Sequence, residues 1–593
     1  MHHKFHIPVL GLGFSVDTPL KVAKFGISSV VSIVDDDLVE RMREYYAQKR
    51  ELPFIPIPKK EIDSRSKRIK AYLNLLHQLV KQDFRKLQQL PFEKGNDLCK
   101  YFELLPDESP LKHGYELMLE YPEGPSKQHF QKLLKQQMQK GRIDVNIMSK
   151  VDRMNNKAIT EGPVEENTEA LAALRGFAQS KLNSALILSA GMNPKLYSYL
   201  TQFPDFFPDE KGGIKKQLIL KVSDFRSSFI QAKFLAKKGI WVSEFRIESG
   251  LNCGGHAFAT EGYLLGPILE EFKSRKQAML TELKSLYQSA LSSLNKTVNT
   301  LELTQRISVQ GGIGTAVEDA FLKKHFKVDL TGWGSPFLLV PEVTNVDDQT
   351  RSQLANADES AYYLSQSSPL GIAFNNFKYA SMETERIARI NAGKPGSPCT
   401  KKYLCNNTEF SKTAICTASN KYQTLKLEEL KSLNLSPEAY TQTFQKITEK
   451  ACLCEGLCSS TYQFLGILKK KESKAVAICP GPNLAYFNAQ YSLQEMVDHI
   501  YGRINLIADI KRPHFLLKEL ELYLGYLQNE VSQHIQHFTD KKQTQLQQFK
   551  AQLQAGIGYY KQLYKEWSSR SNEAYQQYEA ALIHAENRLQ AIL

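Results

Sequence analysis

The chain has 593 residues, of which 42% are hydrophobic and 23% charged, and 76 basic against 63 acidic side chains leave a formal net charge of +13. That length exceeds one compact core, so two or three ordinary globular domains are expected, and the composition excludes a disordered or fibrous chain. No apolar run approaches the roughly 20 residues of a membrane helix. No Lys/Arg block carries interleaved aromatics, so the positive charge reads as spread over a large surface, with neither membrane nor nucleic acid as a partner.

The first ten residues are basic, but their apolar stretch is short and runs into Gly11 and Gly13. They read as a first strand, Ile7–Leu10, rather than a secretory signal, and a cytoplasmic protein is expected. Thr18–Phe25 fits a short helix, and Ser28–Val34, β-branched and apolar, fits a second strand. From about 36 to 150 the chain becomes rich in Lys, Gln, Leu and Glu. Ile69, Leu73, Leu76, Leu79 and Val80 fall at helical spacing there, which predicts a helical insertion. Asp152–Asn167 is polar and reads as a connecting loop.

Strand–helix alternation then returns. Ala185–Ser189 is a strand ending in the turn Ala190–Pro194, and Gln217–Lys221 is another, followed by a helix from Phe225 to Lys238. Trp241–Ile247 leads into a glycine-rich loop, and a long helix covers Leu265–Leu294. Arg306–Val309 precedes Gln310-Gly-Gly-Ile-Gly314 and a helix over Ala316–Phe326, and Val328–Leu330 with Gly332-Trp-Gly-Ser-Pro336 closes the series. Repeated units with glycine-bearing loops after the strands predict an α/β fold, a (β/α)8 TIM barrel over 1–345 interrupted by the insertion. Residues 346–485 read as a loop-rich, cysteine-bearing extension. Residues 486–593 read as long helices that serve packing or self-association into a homo-oligomer.

Three loops carry the chemistry. Gly250-Leu-Asn-Cys-Gly-Gly-His256 follows a predicted strand, which in a barrel puts it on the catalytic face. Paired glycines allow close backbone approach, and a histidine there can exchange protons near neutral pH. The plainer reading is a tight turn with a bystander histidine, and Cys253 with His256 could instead bind a metal. Ser308–Thr315 joins a strand, a glycine pair and a helix start, the arrangement that builds an anion site. Gly332–Phe337 sits in the next such loop, where barrels often hold phosphate. There is no dinucleotide-binding fingerprint and no Walker A pattern.

Gly250–His256 resembles the G-x-E-A-G-G-H motif of the nitronate monooxygenase (2-nitropropane dioxygenase-like) family, with Asn252 in place of Glu and Cys253 in place of Ala. Leu220-Lys-Val-Ser223 resembles that family's K-V-x-S strand, Gln310-Gly-Gly-Ile313 its A-G-G-I loop, and Gly334–Leu338 its M-G-T-R-F-L segment. The likeness spans residues 185–340, about a quarter of the chain. It implies an FMN-binding barrel and an FMN-dependent oxidoreductase, with the phosphate on Gly311, Gly312, Gly334 and Ser335. Lys221, Gly254 and Gly255 would lie by the flavin, and His256 would be the general base that removes a proton next to an electron-withdrawing group. A related subgroup supplies the enoyl reductase of polyunsaturated fatty acid synthases, so the substrate is a small molecule or an acyl chain brought by a synthase or carrier. A barrel retained only as a binding module is the other reading.

Seven of the nine cysteines fall between Cys399 and Cys479. One reading is an iron–sulfur cluster or zinc site, with Cys454 and Cys479 as ligands. However, the spacing matches no standard cluster or zinc pattern. The other reading is buried small hydrophobes, in which case no metal is held.

Overall fold

A computed structural model describes residues 3–147, 151–154, 167–189, 191–257, 261–298, 303–534, 539–568 and 572–592. Most of the loop expected over Asp152–Asn167, and Ala190 of the next turn, lie outside the described residues. Eight parallel strands close into a barrel: β1 (Phe5–Ile7), β2 (Ser28–Ser32), β3 (Ile143–Asn146), β4 (Ser184–Ser189), β5 (Lys216–Val222), β6 (Val242–Ile247), β7 (Arg306–Gln310) and β8 (Leu330–Gly332), with β8 pairing back onto β1. This is the expected (β/α)8 architecture.

The strand that the sequence did not reveal is β3, which lies inside the stretch read as helical insertion. It is four residues long and carries Asp144, whose charge argues against a barrel core until its partners are seen. Arg142 bonds it at 2.9 Å, and the Ala185 amide of β4 bonds it at 3.1 Å. Five helices lie between β2 and β3: Asp36–Lys49, Ser64–Gln89, Asp97–Glu103, Pro110–Glu120 and Pro125–Gln137. The second of these packs against the helix Glu169–Ala178. A Cβ on Gly176 would sit 2.9 Å from Ile69 Cβ, so part of the insertion belongs to the barrel's outer layer.

Alternate residues of each strand point inward, and they divide the barrel interior in two. Val30, Ala185, Ile187 and Ile219 form an apolar cluster. Opposite them lie charged groups: Glu244 bonds Arg246 at 2.7 Å and Ser308 at 2.7 Å, with Arg306 at 3.4 Å. Burial opposes the charge on Glu244, but the two arginines outweigh it and hold its carboxyl down near 2. His6 is fully enclosed, and burial lowers its imidazole to about 3. It is therefore a neutral link, 3.3 Å from the Gln310 side chain.

Residues 346–485 contain far more helix than their composition predicts: Asp348–Ala355, Ser381–Asn391, Asn420–Ser432, Pro437–Thr448 and Leu453–Phe464, with a hairpin of β9 (Tyr362–Ser365) and β10 (Phe374–Phe377). Two of these helices are Ser-capped, at Ser419 and Ser436, and local capping of this kind is what a reading for loops overlooks.

The C-terminal helices Leu493–Ile500, Phe515–His534, Asp540–Ser568 and Asn572–Gln590 pack onto the barrel. Tyr523 takes the Gly250 amide at 2.9 Å, and Glu519 takes the Leu265 amide at 2.9 Å and the Tyr560 hydroxyl at 3.2 Å. Glu519 is enclosed with no cation against it, and burial raises its carboxyl to about 7. Its folded value lies above its unfolded one, so its contribution is complete at low pH and is lost as pH rises through 7. Wild type should lose roughly 3 kcal/mol relative to Glu519→Gln between pH 4 and 8. Thermal midpoints of the pair at both pH values check this, and parallel curves would contradict it. No helix among the described residues is long and apolar enough to cross a membrane.

Candidate active site at the barrel mouth

The loop after β6 turns back on itself through Asn252. Its side-chain oxygen accepts the Gly254 amide at 2.8 Å and the Asn375 amide group at 2.9 Å, and its nitrogen bonds the His256 carbonyl at 2.8 Å. Asn252 therefore shapes the loop. Gly254 has φ +116°, and a Cβ there would meet the Cys479 carbonyl oxygen at 2.1 Å. The Gly255 amide bonds that same oxygen at 3.0 Å, and the Asn375 amide bonds the Gly255 carbonyl at 2.9 Å. Glycine at 254 is required by close approach to the chain's own extension. Gly255, at φ +78°, has open space where a Cβ would go.

Lys221, Gly254, Gly255 and His256, together with Cys253, line one cavity at the C-terminal ends of β5 and β6. Val9 and Leu12 form its wall on the β1 side, and Phe374, Tyr403, Leu453, Cys454 and Cys479 of the extension roof it. Two residues that the sequence reading did not single out organise it. Glu248 pairs with Lys221, accepts Gln310 Nε2 at 2.9 Å and takes the Cys253 amide at 3.4 Å. A carboxylate just past a barrel strand was the available signal. Ser368 Oγ lies 2.7 Å from His256 Nε2, and the Leu370 amide bonds Ser368 Oγ at 3.2 Å. Ser368 Oγ can donate to Nε2 or accept from it while it takes the Leu370 amide. Ser368 lies 112 residues from His256, and no local pattern marks it.

Gly311, Gly312, Gly334 and Ser335 are close to this cavity but do not line it. A Cβ on Gly311 would meet the Leu251 carbonyl oxygen at 2.4 Å, and one on Gly334 would meet Cys253 Cβ at 2.7 Å. Ser335 Oγ donates to the Cys253 carbonyl at 2.8 Å and accepts the Gly481 amide at 2.7 Å. The helix Ala316–His325 already has a carboxylate at its N-terminus: Glu318 accepts the Gly314 amide at 2.8 Å and Arg512 Nη1 at 2.6 Å. Arg512 also donates to the Gly312 carbonyl at 2.6 Å, and Asn483 Nδ2 donates to the Ile313 carbonyl at 2.8 Å. The residues implied for the ring end of FMN share a cavity, whereas those implied for its phosphate are covered by the chain itself. FMN as a whole does not fit this arrangement.

Among the described residues, no group of three or more His, Cys, Asp or Glu side chains is disposed to hold a metal ion. Cys454 and Cys479, read as candidate ligands, both line the roofed cavity. Both are enclosed, and burial pushes their thiols up, that of Cys479 to about 12. Three other cysteines converge, the buried Cys405 and Cys416 with the half-buried Cys399, whose Sγ lies 3.7 Å from Cys405 Sγ. Hydrogen bonds from Cys405 and Cys416 hold the half-buried Cys399 thiol well below the ordinary range. Cys399 is therefore expected to be alkylated by iodoacetamide at pH 6 while Cys454 and Cys479 are spared. Peptide mapping reads this directly, and equal labelling of all three would contradict it.

No protein-family model and no curated protein sequence matches the chain. Among solved structures it is similar to the enoyl reductase domain of MlnA from the macrolactin biosynthesis cluster of Bacillus amyloliquefaciens, at 14% identity over 76% of this chain and 89% of that one, with a TM-score of 0.32. It is also similar to a FabK variant from Thermotoga maritima, at 11% identity over 70% and 84%, TM-score 0.29. A third is nitroalkane oxidase from Streptomyces ansochromogenes, at 10% identity over 85% and 95%, TM-score 0.35.

Proposed function

We propose that the chain is an oxidoreductase that works in the roofed cavity at the barrel mouth, with His256 as its proton-transfer residue and a flavin ring as the group it serves. One observation carries this reading: His256 Nε2, held 2.7 Å from Ser368, shares a roofed cavity with Lys221 and Gly255 at the C-terminal ends of the barrel strands. The resemblance implies FMN, but this reading takes only the ring end of that cofactor.

The roles of the chain's own groups follow from their positions. His256 accepts a proton at Nε2 from a carbon beside an electron-withdrawing group. Ser368 holds the imidazole against rotation. Lys221, fixed by Glu248, places a positive charge on the side of the cavity where negative charge develops. Phe374, Leu453 and Cys479 exclude water, which strengthens each of these interactions.

Two finer reactions fit this chemistry, oxidation of nitronates and reduction of enoyl chains. Oxygen consumption with a nitroalkane and no nicotinamide supports the first. Oxidation of NAD(P)H by an enoyl thioester supports the second. Absence of both reactions in flavin-loaded protein would remove the enzymatic reading. The covered glycine loops favour one other reading, a barrel kept as a binding module. In that case His256→Ala leaves every flavin-dependent turnover unchanged, while removal of the C-terminal helices abolishes the biological effect.

A further inference from the structure

The residues around the expected phosphate position form a finished structure of their own. The segment Cys479–Asn483 lies across three barrel loops at once. Cys479 bonds the Gly255 amide at 3.0 Å, Gly481 bonds Ser335 at 2.7 Å, and Asn483 bonds the Ile313 carbonyl at 2.8 Å. The packing leaves no slack, since a Cβ on Gly481 would sit 2.3 Å from the Asn252 carbonyl oxygen. Beside this segment, Glu318 and Arg512 form an ion pair whose side chains are 4% and 7% exposed. Glu318 also takes the Gly314 and Phe515 amides, at 2.8 and 3.0 Å. A Cβ on Gly314 would meet the Arg512 guanidinium carbon at 2.6 Å.

A helix N-terminus attracts an anion because its first amides lack partners and its dipole is positive there. Here Thr315 Oγ1 takes the Glu318 amide at 3.2 Å, and Glu318 places a buried carboxylate on the Gly314 amide at 2.8 Å, balanced by Arg512. The segment Cys479–Asn483 bonds the adjoining loops. A phosphate arriving at this point would meet a buried carboxylate, and bringing like charges together in a region without water is strongly unfavourable.

We infer that the ligand of the barrel-mouth cavity carries no phosphate, because Glu318 and the segment Cys479–Asn483 occupy the position a phosphate would take. The preferred ligand class is a flat heteroaromatic ring system without a phosphoryl group, of which riboflavin is the available example. This rests on the proposed function for the ring but not for the phosphate.

The test is equilibrium titration of the full-length protein with FMN and with riboflavin, read by flavin fluorescence, with inorganic phosphate as a third probe. A working phosphate site contributes several charge-assisted hydrogen bonds, which makes FMN roughly 100-fold or more tighter than riboflavin. The inference predicts affinities equal within about threefold and no competition by phosphate at millimolar concentration. FMN binding roughly 100-fold tighter than riboflavin would overturn the inference and leave the flavin reading standing. Binding of neither would overturn the ring ligand named here and the flavin reading together. In Glu318→Ala, where Arg512 loses its partner, a preference for FMN over riboflavin is expected to appear. The milder Glu318→Gln serves as a second variant should the first fail to fold, and continued indifference to the phosphate in a folded variant would count against Glu318 as the displaced anion.

Discussion

Replacing His256 by alanine lowers turnover by ~10²–10⁴-fold, the usual contribution of a positioned acid–base group, while ring binding changes little. The basis is geometric. His256 is on a loop tied down at both ends by hydrogen bonds from Asn252 and by pairing with the extension, and it forms a bridge with Phe374. Its Nε2 lies 2.7 Å from Ser368 Oγ. Ser368→Ala removes a single hydrogen bond that orients the ring, a loss of up to about tenfold. The ordering His256→Ala far below Ser368→Ala, with similar ring affinity in both, is the signature to measure. A His256→Ala protein within about twofold of wild type would exclude a role in proton transfer.

Replacing Arg512 by alanine costs about 3–5 kcal/mol of stability, the range found when one member of a buried ion pair is removed. Its partner Glu318 is only 4% exposed and would be left with a charge and no cation beside it. Burial alone would raise the Glu318 carboxyl, but Arg512, with His514 and the Gly314 amide, holds it below the usual range. The folded value lies below the unfolded one, so this stability is present above the unfolded pKa and is lost as pH falls through the folded one. Arg512→Ala should consequently be least impaired in acid. Removing both charges in Arg512→Ala/Glu318→Ala should cost less than the single change at neutral pH. Thermal midpoints of the three variants at pH 3 and 7.5 measure this. A single variant as stable as wild type at neutral pH would show that the pair holds nothing in place.

Much of the barrel could be read directly from the chain because local pattern and final environment agree. β4, β5 and β6 are short β-branched or aliphatic runs ending in turn residues, and the strand ends differ from expectation by one or two residues. β3 was hidden because Asp144 and the flanking Arg142 look like surface, and the second cation facing Asp144, Arg246, comes from a strand about 100 residues away. The glycines at 254, 311, 312 and 334 were visible as positions of close approach. What approaches them was not: at 254 it is Cys479 and Gly481 of the distant extension, whereas at 311, 312 and 334 it is Leu251, Asn252 and Cys253 of the loop after β6. A glycine pattern records that something comes near the backbone, and here it is the protein's own chain. The same limit applies to Ser368 and Arg512, whose partners lie 112 and 194 residues away. The cysteines drew attention by their number. Burial encloses Cys405, Cys416, Cys454, Cys458 and Cys479 and leaves only Cys399 and Cys452 of that region partly exposed, a distinction that spacing does not carry.

The visible spectrum of the full-length protein, as purified and again after incubation with riboflavin, reports most directly on whether the barrel-mouth cavity accepts a flavin ring. The expected result is the yellow absorption of an oxidised flavin, altered in position or intensity when Lys221 or His256 is replaced. A protein that stays colourless throughout, or a spectrum indifferent to both replacements, would place the ligand elsewhere or show that there is none.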